Sequence, residues 1–208
     1  MRVLVACEFS GRVREAFRKR GHDAWSCDLL PSEVDGPHYK GDVFGFLVSV
    51  LEPYNYEPFD LMIAHPPCTY ICTSGLHWNC RTEGRYLETR KAIAFVERLW
   101  NCGIDKIAIE NPIGCLPTHS CLMKATQVIQ PYEFGEDASK DTCLWLKGLA
   151  PLKPTKRIEP RMVNGRPRWA NQTDSGQNKL TPSETRATER SRTYQGIADA
   201  MAEQWGSA

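Results

Sequence analysis

Cys68 follows directly on Pro66 and Pro67, which end the apolar run Phe-Asp-Leu-Met-Ile-Ala of residues 59 to 64 through His65. Successive prolines remove two backbone donors and fix φ, so the chain turns a rigid corner there. A free cysteine usually ends up as a small buried apolar group. One held at a corner beyond a strand is instead placed to act as a nucleophile, provided its thiol can lose its proton. Glu110-Asn111-Pro112 repeats this arrangement at the end of a second apolar run, residues 105 to 112. A carboxyl in that position is costly without a partner. It either caps local structure or is held for a substrate, and if kept protonated by desolvation it can donate a hydrogen bond to a ring nitrogen.

Three further sites carry weaker signals. Ser10-Gly11 lies between the apolar run of residues 2 to 7 and a helical pattern, where a small loop lets a ligand approach backbone N–H groups. Asp28 ends another apolar run, where an acid can accept hydrogen bonds from ribose hydroxyls or merely cap a turn. Gly41-Asp42-Val43 has the same two readings. Metal is a further chemistry to weigh. His65, Cys68, Cys72, His77 and Cys80 are close in sequence, as are Cys115, His119 and Cys121. Structural zinc sites pair two Cys-x2-4-Cys elements. Cys68 and Cys72 meet that spacing only loosely, Cys115 and Cys121 not at all, so no metal ligand is expected.

The elements that must hold these residues follow from periodicity. Residues 2 to 7, the segment HDAWSCD ending at Asp28, residues 59 to 64, residues 105 to 112 and residues 141 to 149 read as strands, the first as a buried parallel one. RVREAFRKRG places Val13, Ala16 and Phe17 at helical spacing, with Gly21 as the stop. LETRKAIAFVERLWNCG does the same with Ile93, Val96, Leu99 and Gly103. HYKGDVF contains a turn at Gly41-Asp42. Strand-helix-strand alternation of this kind predicts an α/β fold with a doubly wound, mostly parallel sheet. Ligands bind outside the carboxyl ends of such strands, so Glu8 to Gly11, Asp28, His65 to Cys68 and Glu110 to Pro112 should converge on one rim. Residues 151 to 192 are poor in apolar residues and read as loop or arm. A final helix is expected, with Ile197, Met201 and Trp205 spaced by four.

Composition narrows the class. The chain has 208 residues, a formal net charge of +1 and nine cysteines. No apolar run approaches the roughly 20 residues of a membrane span. The N-terminus turns polar too soon for a signal peptide, so a cytoplasmic setting with reduced thiols is expected. From Lys147 to Arg192 there are eleven basic and four acidic residues, a local net of +7. Such a segment tracks phosphates or serves as a solvated linker.

Phe9-Ser10-Gly11, the acid closing the second strand, Gly41-Asp42-Val43, Asp60 leading to Pro66-Pro67-Cys68, and Glu110-Asn111 occur in that order. In this order and content the chain resembles the DNA cytosine-5 methyltransferases, as a short, phage-like member. The resemblance covers roughly residues 2 to 145, with a weaker match at the terminal helix. It implies a Rossmann-like, S-adenosylmethionine-dependent methyltransferase core over 1–147. A basic segment over 148–192 would be a reduced target-recognition region, and a helix over 193–208 would pack back on the core. Cys68 would add to C6 of cytosine, Glu110 would hydrogen-bond N3, and Asn111 would brace the cysteine loop. Phe9, Ser10, Gly11 and Pro66 would hold the methionine end of the cofactor, Asp28 and Leu29 the ribose side, Asp42 and Val43 the adenine. DNA would be the partner, with Arg157, Arg161, Arg166 and Arg168 on its phosphates. Thr69 stands where the family usually has glutamine, and Pro112 where it has an apolar residue. The family's Gln-x-Arg-x-Arg motif is absent, leaving Lys140 to substitute for an arginine. Competing readings are a zinc- or nucleic-acid-binding module, an inactive methyltransferase fold that binds DNA, and an enzyme modifying a pyrimidine nucleotide by the same thiol addition.

Overall fold

The computed structural model describes residues 1–50, 58–181, 183 and 185–207. Glu184, one of the acids of the basic segment, and Ala208 lie outside the described residues. Strands β1 (Arg2–Ala6), β2 (Asp23–Asp28), β3 (His38–Lys40), β4 (Leu61–Ala64), β5 (Lys106–Pro112), β6 (Gln127–Ile129) and β7 (Thr142–Lys147) form one sheet, in the order β3-β2-β1-β4-β5-β7-β6. Helices α1 (Arg12–Arg18), α2 (Val43–Ser49), α3 (Thr73–Leu76), α4 (Arg85–Trp100) and α5 (Leu116–His119) connect them. A separate hairpin, β8 (Arg161–Val163) with β9 (Arg166–Arg168), then α6 (Arg186–Ser191) and α7 (Gln195–Trp205), complete the chain.

The central strands β1, β4 and β5 read as apolar runs because both faces of the sheet are covered there. Alternation splits each strand between two cores. Leu4, Ala6, Met62, Ala64, Ile107 and Ile109 face α2 and α4, which contribute Phe44, Phe46, Ile93, Val96 and Leu99. Val3, Val5, Leu61, Ile63 and Ala108 face α1 and α7, which contribute Val13, Phe17, Ile197, Met201 and Trp205. The terminal helix therefore buries the three residues its spacing singles out, and it packs against α1.

The expected mostly parallel sheet holds. The 141 to 149 segment forms a strand as expected, and β7 is the single reversed strand, antiparallel between β5 and β6. Two features depart from the sequence expectation. The short β3 and α2 replace a simple turn at 38 to 44, because Asp42 accepts from Gly45 N (2.8 Å) and starts a helix. Last, the basic segment is tied down. Asn171 exchanges hydrogen bonds with Ser139 N (3.0 Å) and Ser139 O (2.9 Å), and Ala170 N donates to Asp137 Oδ1 (2.9 Å). No described helix is long and apolar enough to cross a membrane.

Arg14 fastens the loop that follows β2. It is fully buried, and Nη1 donates to Ser26 Oγ (2.9 Å) while Nη2 donates to Val34 O and Asp35 O (both 3.0 Å). Arg14→Met keeps the volume but strands these acceptors. It is expected to cost about 3 kcal/mol, read as a melting-temperature drop of roughly 6–12 °C by calorimetry.

Candidate active site

Strand order reverses between β1 and β4, and a crevice outside the carboxyl ends of such neighbours is the usual ligand site of an open α/β sheet. Cys7 to Gly11 leave β1 there and His65 to Cys68 leave β4. The β4–β5 register pairs Ala64 with Ile109, which sets His65 beside Glu110. His65 Nδ1 lies 2.7 Å from Glu110 Oε2, with both side chains almost wholly buried. Lys140 Nζ stands 4.0 Å from Glu110 Oε1, and the Thr193 hydroxyl also bonds the carboxyl. Burial alone would raise Glu110. The His65 hydrogen bond, with the charges of His65 and Lys140, outweighs it and holds the carboxyl down to about 2. His65 moves the opposite way. Burial and Lys140 oppose its charge, but Glu110 and the nearby Glu8 raise it above the usual imidazole range. With Glu110 lowered and His65 raised, the pair's proton lies toward His65.

Cys68 begins a single helical turn, with Ile71 N donating to Cys68 O (3.1 Å) and Cys72 N to the same oxygen (2.9 Å). Residues one turn apart share a face, and the two thiols are hydrogen-bonded to each other. Cys72 also lies 3.3 Å from Ser74 Oγ and accepts from the Gly75 backbone. The Cys68 thiol, with Ser74 and the Gly75 backbone, lowers Cys72 despite burial. Cys68 is raised by Cys72 and by burial, against the Lys140 charge. Asn111 Nδ2 donates to Pro66 O (2.9 Å), which ties the corner to the end of β5. Cys115 N donates to Ile71 O (2.9 Å) and Thr73 N to Ile113 O (3.0 Å), so the turn is stitched to the loop after β5. A Cβ on Gly114 would stand 2.0 Å from Ile71 O, which is why only glycine fits there.

The loop after β1 differs from its expected use. The Glu8 carboxylate accepts from Val13 N (2.7 Å) and Arg14 N (3.3 Å) and so fills the start of α1. Burial raises Glu8, against His65 and these hydrogen bonds. Ser10 Oγ donates to Glu8 (3.2 Å) and accepts from Arg12 N (3.4 Å), so its hydroxyl is committed inward. Phe9 is buried, and Gly11 adopts φ 70° under Val34. On the rim, Asp28 accepts from Leu30 N (2.9 Å), Leu29 is 72% exposed and Asp42 is exposed, while Val43 is buried.

The arginines of the basic segment lie on or near the hairpin. Arg161 pairs with Asp174 (2.6 Å), opposite Arg168 in register, and Arg168 Nε donates to Asp174 O (3.0 Å). Arg157 lies 3.7 Å from Glu159 and over the Tyr132 ring. Arg166 is exposed on β9. Among the described residues no three His, Cys, Asp or Glu side chains group as a metal centre requires. His65 serves Glu110, Cys80 bonds His77 O (3.3 Å) and His119 bonds Thr118 (2.7 Å). Reading for nucleophile and acid alone leaves His65, Cys72 and Thr193 out of the candidate site. The i, i+4 spacing of the cysteines was the available signal for Cys72. No protein-family model matches the chain, and no curated protein matches it.

Proposed function

We propose that the protein is a DNA cytosine-5 methyltransferase with S-adenosylmethionine as methyl donor, and that its sheet is a Rossmann-like one of the methyltransferase type. One observation carries the reading. The Pro66-Pro67-Cys68 corner is bonded through Asn111 to the strand end that bears Glu110, beside the point where strand order reverses. A thiol and an acid so held suit a pyrimidine ring attacked at C6 and hydrogen-bonded at N3. The resemblance in motif order supports the same assignment.

The residues fit the adenosine half of the cofactor. Asp28 offers a carboxylate for a diol, exposed Leu29 an apolar face for a purine, and Asp42 a second acceptor backed by Val43. The inward Ser10 hydroxyl does not suit the methionine end, leaving that role to the backbone of Phe9 and Gly11 and to Pro66. When bound, S-adenosylmethionine supplies an electrophilic methyl group.

In this mechanism Cys68 passes its proton to the Cys72 thiolate as its sulfur bonds to C6. The displaced ring electrons gather toward N3, where the proton held by the His65–Glu110 pair neutralises them. C5 would then carry the electron pair that accepts the methyl group, whose former bonding electrons stay on the donor's sulfur. Loss of the C5 proton to solvent water re-forms the C5–C6 double bond and expels Cys68, which regains its proton from Cys72, while N3 returns its proton to the His65–Glu110 pair. Lys140, near both Glu110 and Cys68, stabilises anionic charge on either. In a duplex the cytosine must first leave the stack.

The test is transfer of labelled methyl from S-adenosylmethionine to mixed-sequence DNA, with digestion to nucleosides. Label in 5-methylcytosine supports the reading. No transfer to duplex, single strand or free nucleotide contradicts it.

A further inference from the structure

A cleft of about 620 Å³ opens between Arg12, Lys140, Leu180, Tyr194 and the α6 region, within the roughly 300–1,000 Å³ of small-ligand sites. Its lining is strongly cationic: Arg12, Lys140, Arg190 and Arg192, with the hydroxyls of Thr185 and Thr188 and a single acid, Glu189. Glu33 pairs with Arg192 at 2.6 Å, Glu110 stands 4.0 Å from Lys140 and Glu189 accepts from Thr185 Oγ1 (2.8 Å), so Arg12 and Arg190 are the lining cations that no ion pair among the described residues occupies.

The cleft also reaches the candidate active site by two routes. Lys140, in its lining, stands 4.0 Å from Glu110 Oε1. Arg12, also in its lining, donates to Thr193 O (3.0 Å), and the Thr193 hydroxyl bonds Glu110. Lys140 is itself held across the cleft by donating to Arg190 O (3.1 Å). An anion here would therefore lie beside the carboxylate that meets the base. By contrast, Arg161 and Arg168 of the hairpin are occupied with the Asp174 loop, which leaves exposed Arg166 as the hairpin charge the test must exclude.

We propose that this cleft, through Arg12 and Arg190 beside Lys140, clamps the phosphate of the pyrimidine nucleotide whose base reaches Glu110, and that the hairpin arginines do not. The proposal rests on the cytosine reading of the site. The phosphate belongs either to a DNA strand or to a free nucleotide.

The experiment is fluorescence anisotropy of a labelled single-stranded oligonucleotide, without S-adenosylmethionine, for wild type, Arg190→Glu, Arg190→Lys and Arg166→Glu. Arg190→Glu is expected to weaken binding roughly tenfold and to flatten the salt dependence by about one contact. Arg190→Lys should retain most of the affinity, and Arg166→Glu should bind within about twofold of wild type. Competition by dCMP identifies the source. Displacement assigns the clamp to a free nucleotide as well, and persistence of the complex assigns it to the strand. Wild-type affinity in Arg190→Glu, a larger loss in Arg166→Glu, or no binding of oligonucleotide or dCMP by wild type would overturn the proposal. Because no methyl group moves in this assay, a protein that binds through the clamp yet fails to methylate refutes the methyl-transfer reading alone.

Discussion

Cys68→Ala is expected to drop methyl transfer by at least roughly 10⁴-fold, while Cys72→Ala leaves a slow enzyme whose rate climbs with pH. The difference follows from the shared proton. In the proposed mechanism Cys68 carries the reacting sulfur, so nothing replaces it. Cys72, the thiol of the pair that is lowered, would accept the Cys68 proton. Without it, Cys68 must ionise alone, with burial against it and only the Lys140 charge in its favour. Loss of a positioned base costs about 10²-fold near neutral pH, and that loss should shrink as the solution becomes alkaline. Alkylation reads the same pairing without any cofactor. At neutral pH iodoacetamide should modify Cys72 before Cys68, as mapped on peptides. The reverse order would place the thiolate on Cys68 and remove the role given to its neighbour.

Glu110→Gln is expected to lower kcat roughly 10³-fold with little change in KM for DNA. Glutamine keeps the shape and a hydrogen bond but cannot relay the His65 proton to N3. The same pair sets a pH dependence. Glu110 is depressed in the fold, so its stabilisation is complete above its ordinary value near 4.5 and is lost as pH falls toward about 2. His65 is raised, so its stabilisation is complete below its ordinary value near 6.5 and is lost as pH rises through its folded value. The ion pair is therefore strongest between those ordinary values. The groups facing it are Glu8 from the β1 loop, Lys140 from the loop before β7 and Thr193 from the segment before α7. Methyl transfer should fall on the alkaline side as His65 loses its proton, and His65→Gln should abolish that limb. A kcat profile unchanged by His65→Gln would contradict the proton store.

Much of this arrangement was legible because it is written locally. Strand ends marked by Asp28, His65 and Glu110 sit where continuous apolar runs stop, and those runs form parallel strands buried on both faces. The prolines before Cys68 announce a corner whatever surrounds them. Ile197, Met201 and Trp205 declare a buried stripe by spacing alone. What was not legible depends on partners distant in sequence. The reversed direction of β7 is set by pairing with β5, which no period within residues 142 to 147 encodes. Asp42 is equally compatible with a turn and a helix cap until Gly45 bonds it. His65 was visible as a strand-end residue and a possible metal ligand, but not as the partner of Glu110, which lies 45 residues away. Ser10 seemed placed for a ligand, but Glu8, two residues before it, claims both the hydroxyl and the start of α1. The clamp residues Arg12 and Arg190 come from opposite ends of the chain and meet only in the fold.

The central claim is that the sulfur of Cys68 bonds to C6 of cytosine in a methyl-transfer cycle. Breakdown of that adduct needs loss of a proton from C5, and fluorine at C5 cannot leave in that way. DNA of mixed sequence with 5-fluorocytosine throughout should therefore trap the wild-type protein in a denaturation-resistant complex that requires S-adenosylmethionine. Its crosslink should map to Cys68 by mass spectrometry and be missing in Cys68→Ala. No trapped complex, or one joined through Cys72 or another residue, would contradict the account.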